Sequence, residues 1–368
     1  MKVNGHGGDV YAAARELDRD INNLIDFSAS INPLGPSPAA WRAIAHSRHL
    51  LQHYPDPVSW TLCRVLASQW KRPPEHIVVG NGSSELIYAL PRALGLRHLL
   101  VLGPTFSEYA DAMIRSGGRV TTVFAERRHN YAPPIDRALQ LMDAAGTRRR
   151  GGRGIDAFVL CNPNSPTGQT CDIDTLMDLV RAAQRHHLWM ILDESFAEFS
   201  DGGSLLLHSD VSTRVIVLRS LTKFYGLPGL RVGYVVASRN VARHLRHQQP
   251  PWSVNALAQV AAMAALDDHD HARRSRAFMA KERFRFAGLL GQLPGCITFP
   301  SHANFILMEV PAGWLAKDVT AELRKDGLLV RDCSAVQGLH SRSLRVAVRT
   351  KQENNRLIAS LAKLFEHR

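Results

Sequence analysis

The stretch Arg219-Ser220-Leu221-Thr222-Lys223-Phe224-Tyr225-Gly226-Leu227-Pro228-Gly229-Leu230-Arg231 sets one lysine between two hydroxyls and a glycine-rich turn. It follows directly on Val215–Leu218, an apolar β-branched run that reads as a buried strand. A lysine in that place is costly to bury unless its charge is lowered or used. One use is a Schiff base with a carbonyl cofactor, a nearby cation such as Arg231 depressing the amine's pKa. Ser220, Thr222 and Arg231 would then donate to a phosphate. The plainer reading is a solvent-facing lysine in a strand–helix loop, and the neighbouring segments have to decide between the two.

Outward from this stretch, short buried runs alternate with helical patterns from about residue 75 to 240. Ile77–Val79, Leu99–Leu102, Val120–Phe124, Ala157–Leu160, Met190–Leu192, Val215–Leu218 and Val232–Ala237 read as strands. Ser84–Leu94 and Asp172–His186 carry apolar residues at helical spacing. Such alternation predicts an α/β fold with a mostly parallel, seven-stranded sheet covered on both faces. After about 240 the order changes to long helices (Asn255–Leu266, His271–Leu293), strands (Asn304–Val310, Leu328–Arg331, Leu344–Val348) and a closing helix, Lys351–Phe365. We therefore expect an N-terminal arm over 1–48 that joins the small domain, a large domain over 49–245 and a small α+β domain over 246–368. The arm is rich in Pro and Asn and reads as an extension rather than core.

Three further segments bear on the chemistry. Asp193 ends the run Ile191-Leu192-Asp193, where open α/β sheets place ligands; a helix cap would explain such an Asp equally well. Gly80-Asn81-Gly82-Ser83-Ser84-Glu85 is a glycine turn entering a helix, whose first amides attract phosphate. It is neither a Walker loop nor GxGxxG. Cys161-Asn162-Pro163-Asn164-Ser165-Pro166-Thr167-Gly168 is a rigid turn after a strand, and alone it would be only a turn.

In this order, with Pro104-Thr105-Phe106 between the first and the third, the segments resemble the fold-type I pyridoxal-phosphate enzymes over essentially the whole chain. The resemblance implies pyridoxal 5′-phosphate as cofactor and Lys223 as the lysine bonded to it. It further implies Asp193 as partner of the pyridine nitrogen and Phe106 as the ring-stacking aromatic. Gly82, Ser83, Ser84, Ser220, Thr222 and Arg231 match the phosphate cup, and Asn164 and Ser165 the turn beside the ring. Tyr54, in His53-Tyr54-Pro55-Asp56-Pro57, matches a tyrosine that reaches a neighbouring subunit's cofactor, which implies a homodimer with shared sites. Ser165 stands where the family usually has Asn, and Phe196 where many aminotransferases have Tyr. The chain is most similar to the branch that groups histidinol-phosphate aminotransferases with the threonine-phosphate decarboxylases of cobalamin biosynthesis. His6-Gly7-Gly8-Asp9, Asp26-Phe27-Ser28-Ala29-Ser30-Ile31-Asn32-Pro33-Leu34-Gly35 and Phe196 lean to the decarboxylases. His6, Asn32, Arg331 and Arg345 are then expected to hold a phosphorylated amino acid by its phosphate and carboxylate.

Composition bounds the alternatives. Lys and Arg total 45 against 33 Asp and Glu, a net charge of +12, and only 8 of the cations are Lys. Arg suits carboxylates and phosphates. The surplus is scattered: its one short run, Arg148–Arg150 with Arg153, lies among glycines and reads as a solvated loop, and no DNA-reading segment accompanies it. We expect no nucleic-acid partner and, with no apolar stretch near the roughly 18 to 20 residues of a membrane span, no membrane. Five widely spaced cysteines without a CxxC pair argue against zinc and for a reducing compartment, most simply the cytoplasm.

Overall fold

The structure, a computed structural model, describes residues 7–147, 154–200, 202–208 and 213–366. His6 and the Arg148–Arg153 run lie outside them.

Each β-branched run between residues 77 and 236 becomes a strand of one sheet. They are Ile77–Asn81 (β1), His98–Gly103 (β2), Arg119–Phe124 (β3), Ala157–Cys161 (β4), Trp189–Asp193 (β5), Val215–Ser220 (β6) and Val232–Val236 (β7). The order across the sheet is β1-β7-β6-β5-β4-β2-β3. Only β7 runs antiparallel to its neighbours, β1 and β6; the remaining pairs are parallel. Alternate side chains explain why the runs are continuously apolar. Val159, Ile191, Ile216 and Leu218 pack on one face with the helices Gly82–Ala93, Glu108–Arg115 and Arg239–Gln248. Phe158, Leu160, Met190, Leu192 and Val217 pack on the other with Ile173–His186. A strand buried on both faces has no position for a polar residue until it ends. At those ends stand Asp193 and Ser220.

The C-terminal part forms a four-stranded antiparallel sheet from Ile297–Thr298 (β8), Phe305–Glu309 (β9), Arg331–Asp332 (β10) and Ser343–Ala347 (β11), in the order β10-β11-β9-β8. The expected strand at 328–331 is divided. Leu328–Leu329 leaves this sheet to pair in parallel with Ile25–Asp26 of the N-terminal arm, whereas Arg331–Asp332 joins β11. The arm is also more than an extension. Phe27 and Ala40 are fully buried, and the Phe27 carbonyl accepts the Ala347 amide at 2.8 Å. Its helix Pro38–His46, capped by the Ser37 hydroxyl on the Ala40 amide, packs against the helix Ala256–Asp267. Proline at the first helical position and serine before it are both start signals.

Candidate active site

The carboxyl ends of β4, β5 and β6, the start of the helix Gly82–Ala93 and Arg345 of β11 meet around Lys223. Its Nζ lies 3.4 Å from the Thr222 hydroxyl, which bonds the Ser220 hydroxyl at 2.7 Å. Burial depresses the amine from its ordinary 10.5 to about 8, with Arg231 adding to the effect, Asp193 opposing it and Arg345 adding again. That set of charges brings Lys223, Arg231, Asp193 and Arg345 to one place.

Arg231 takes a left-handed backbone, φ 57°, just before β7. Its guanidinium lies on Gly82: a Cβ there would stand 2.6 Å from Arg231 Nη2, and Gly82 itself has φ +76°. Opposite, a Cβ on Gly233 would stand 2.5 Å from the Ser83 amide nitrogen. Glycine at both points lets a strand and a cation close on a helix start. The amides of that first turn, on Gly82, Ser83 and Ser84, have no partner within the helix, and Asn81 supplies no side-chain cap. Cation, amides and hydroxyls make an anion cradle.

Asp193 is buried at the end of β5. Its Oδ1 accepts the Ser195 amide at 2.8 Å and its Oδ2 the Tyr109 hydroxyl at 2.6 Å. Tyr109 stands three residues after Phe106 and meets that ring edge-on at 5.8 Å. Phe196 is buried edge-on against Phe305, at 5.1 Å, and has no polar atom to offer.

Asn164 and Asn32 are each held by partners within the fold. The Asn164 amide nitrogen donates to the Pro104 carbonyl and the Thr167 hydroxyl, both at 2.8 Å, and its oxygen accepts Thr105 at 2.7 Å. It fastens the Phe106 loop to the turn after β4, with no donor left for a cofactor. Asn32, 3 % exposed, donates to the Phe224 carbonyl at 2.9 Å and to Ser275 at 2.8 Å, while its oxygen accepts the Leu34 amide. With its amide donors spent, Asn32 anchors the arm, and its backbone amide bonds the Lys223 carbonyl at 3.0 Å.

Arg331 and Arg345 face each other across β10 and β11. Arg345 donates to the Ser165 hydroxyl at 2.9 Å and to the Ser28 carbonyl at 2.7 Å, and its guanidinium lies 5.0 Å over the Phe305 ring. Its Nε is buried without a partner. Among the described residues neither arginine forms an ion pair with a carboxylate. Tyr54 lies away from this cluster, 80 % exposed and stacked on Trp252 at 4.6 Å. The sequence reading missed Tyr109 and Ser28. A one-turn spacing from Phe106 was the available signal for Tyr109; a main-chain acceptor such as Ser28 leaves none.

Does this constellation fit pyridoxal phosphate? A depressed lysine, a buried carboxylate acceptor, an aromatic ring and an anion cradle left open by Gly82 and Gly233 suit an amine-reactive, phosphate-bearing heterocycle. The fold and site thus define a fold-type I pyridoxal-phosphate enzyme. The chain belongs to the family of class I and II aminotransferases, which it matches over residues 22–361. It is 34 % identical to a threonine-phosphate decarboxylase of Salmonella typhimurium, over 97 % of this chain and 95 % of that protein. It is 32 % identical to a histidinol-phosphate aminotransferase of an Anaeromyxobacter species, over 95 % and 94 %. The solved histidinol-phosphate aminotransferase of Clostridium acetobutylicum superposes with a TM-score of 0.85 at 25 % identity, covering 94 % of this chain and all of that one. No helix among the described residues is long and apolar enough to cross a membrane.

Proposed function

We propose that the chain is a pyridoxal-phosphate-dependent carboxy-lyase that converts L-threonine O-3-phosphate into (R)-1-amino-2-propanol O-2-phosphate and CO2, the aminopropanol unit used in cobalamin biosynthesis. The observation that carries the substrate class is the pair Arg331 and Arg345: two neighbouring cations without carboxylate partners suit a ligand with two anionic groups.

The cofactor, when bound, supplies an electron sink for the bond that breaks at the substrate Cα. Gly82, Ser83, Ser84, Ser220, Thr222 and Arg231 hold its phosphate, Phe106 covers its ring, and Asp193 accepts from its pyridine nitrogen. Ser165, its hydroxyl held by Arg345 at 2.9 Å, would be the nearest group of that turn to the ring's oxygen. Lys223, depressed to about 8, is substantially neutral near that pH and is the amine that engages the cofactor's carbonyl. Its Nζ is also the group placed to return a proton to Cα. Arg345, clamped between Ser165 and Ser28, holds one substrate anion in a fixed direction and Arg331 receives the other. Each charge-assisted bond to an arginine is worth roughly 1.5–3 kcal/mol, enough to choose which Cα bond stands across the ring.

Tyr54, exposed beside Trp252, supports a homodimer in which it reaches the partner's site. Residues 1–48, 49–245 and 246–368 are the corresponding arm, large domain and small domain, and the cytoplasm is the compartment proposed. The test is direct. Purified protein loaded with pyridoxal phosphate is given L-threonine O-3-phosphate without any keto acid, and CO2 and aminopropanol phosphate are measured. Both should appear; turnover only after 2-oxoglutarate is added would make the chain an aminotransferase, as its 32 % identical relative is named.

A further inference from the structure

We infer that Tyr109 is a positioning residue for Asp193, fixing the direction of its carboxylate; this rests on Asp193 being the partner of the cofactor's pyridine nitrogen.

The geometry points to that role from three sides. The phenol donates to Asp193 Oδ2 at 2.6 Å in a fully buried setting, while the Ser195 amide occupies Oδ1. A carboxylate offers about four lone-pair sites, so two donors fix its rotation and leave room for a third. Beside the phenol, Ile87, Leu90, Val159, Ile191 and Leu218 form an apolar wall, and the buried Cys161 thiol is a second, weaker hydrogen-bonding neighbour of the hydroxyl. Finally, the Tyr109 ring braces Phe106 edge-on, so one side chain touches both the carboxylate that would meet the ring nitrogen and the aromatic that would cover the ring.

Tyrosine suits this place better than a cation. A charged donor would neutralise Asp193 and weaken its hold on a protonated ring nitrogen. A phenol donates without cancelling the charge, and here burial, with Asp193 beside it, pushes its pKa well above the ordinary 10. It therefore remains a donor throughout the working pH range. Without it the carboxylate keeps only the Ser195 amide as a fixed donor and can rotate away from the ring nitrogen.

The experiment compares Tyr109→Phe, which keeps the ring and removes the hydroxyl, with wild type and with the same change in an Asp193→Asn background. Three quantities are read: pyridoxal-phosphate affinity of the apoprotein, the pH dependence of the loaded protein's visible band, and kcat and KM for threonine phosphate. Tyr109→Phe should weaken cofactor binding about tenfold, shift the pH at which the band changes, and lower kcat with KM nearly unchanged. In the Asp193→Asn background it should add little, because the two residues act as one unit. Tyr109→His, which keeps a ring N–H donor, should recover part of the loss. Unchanged binding and spectrum in Tyr109→Phe, or losses that simply add to those of Asp193→Asn, would overturn the proposal. A variant that fails only by a lower apoprotein melting temperature counts with the second result. Should wild type bind the cofactor yet release no CO2, the reaction assigned above falls, while affinity and spectrum still decide the role of Tyr109.

Discussion

Two charge clusters share the ends of β5 and β6, one closed and one open. Behind the sheet edge, Arg219 is buried between Glu194 and Glu198, at 2.6 and 2.5 Å, and its guanidinium lies 4.8 Å over Trp70. Glu194 also accepts the Ser204 hydroxyl and, at 2.8 Å, the Leu205 amide. One residue along each strand, Asp193 and Ser220 belong to the other cluster, where Lys223, Arg231, Arg331 and Arg345 gather with few internal partners. A strand sends neighbours to opposite sides. The same two strand ends therefore deliver a compensated network that holds the loops and an uncompensated one available to ligands.

The contrast can be broken from either side. Lys223→Ala should remove the visible band of the loaded protein and cut CO2 release at least about a thousand-fold, since it deletes the amine assigned to the cofactor's carbonyl. Arg219→Met should instead act on folding. It leaves two buried glutamates unpaired and costs about 3–5 kcal/mol in denaturant unfolding. Arg345→Ala should do the reverse, lowering kcat/KM about 10- to 100-fold while changing stability by about 1 kcal/mol or less. If Arg345→Ala unfolds the protein as Arg219→Met does, the two clusters are not different in kind.

The pH dependence sharpens the comparison further. Lys223 falls from 10.5 to about 8 in the folded apoprotein, so between these values the unfolded chain binds more protons. This group's contribution to stability therefore rises as pH climbs from 8 to 10.5, and is lost as pH falls through 8. Lys223→Met should flatten that segment of the apoprotein's stability-against-pH curve. Smallest of all, Asp178→Ala breaks an exposed pair with Arg181 and should change stability by no more than about 0.5 kcal/mol.

How much of this was legible beforehand follows from which forces write themselves into sequence. The seven strands were readable because burial on both faces demands unbroken apolar runs. The lysine, the aspartate and the glycine turn were readable because backbone and charge leave few residue types for each place. The internal bonds of Asn32 and Asn164 were not, because an amide side chain is the same four-site group whether it meets a ligand or the main chain. Their partners, Phe224 and Ser275 for one and Pro104, Thr105 and Thr167 for the other, exist only after folding. Tyr109 escaped for the same reason: Asp193 lies 84 residues along the chain from it. The arm's packing was not legible because its buried apolar residues, such as Phe27 and Ala40, stand too far apart to show a period.

The staple from Asn32 to Lys223 also bears on how the protein can be taken apart. The arm's amide bonds the lysine's own carbonyl, and its Asn32 side chain bonds the next carbonyl and the helix His269–Gly291 through Ser275. A fragment cut to begin at residue 49 would keep every strand of the large sheet, yet lose the clasp on its reactive lysine. The unit of inheritance for this chemistry is accordingly the arm together with both sheets, and an expression fragment or a fusion boundary placed after residue 32 separates a scaffold from its function.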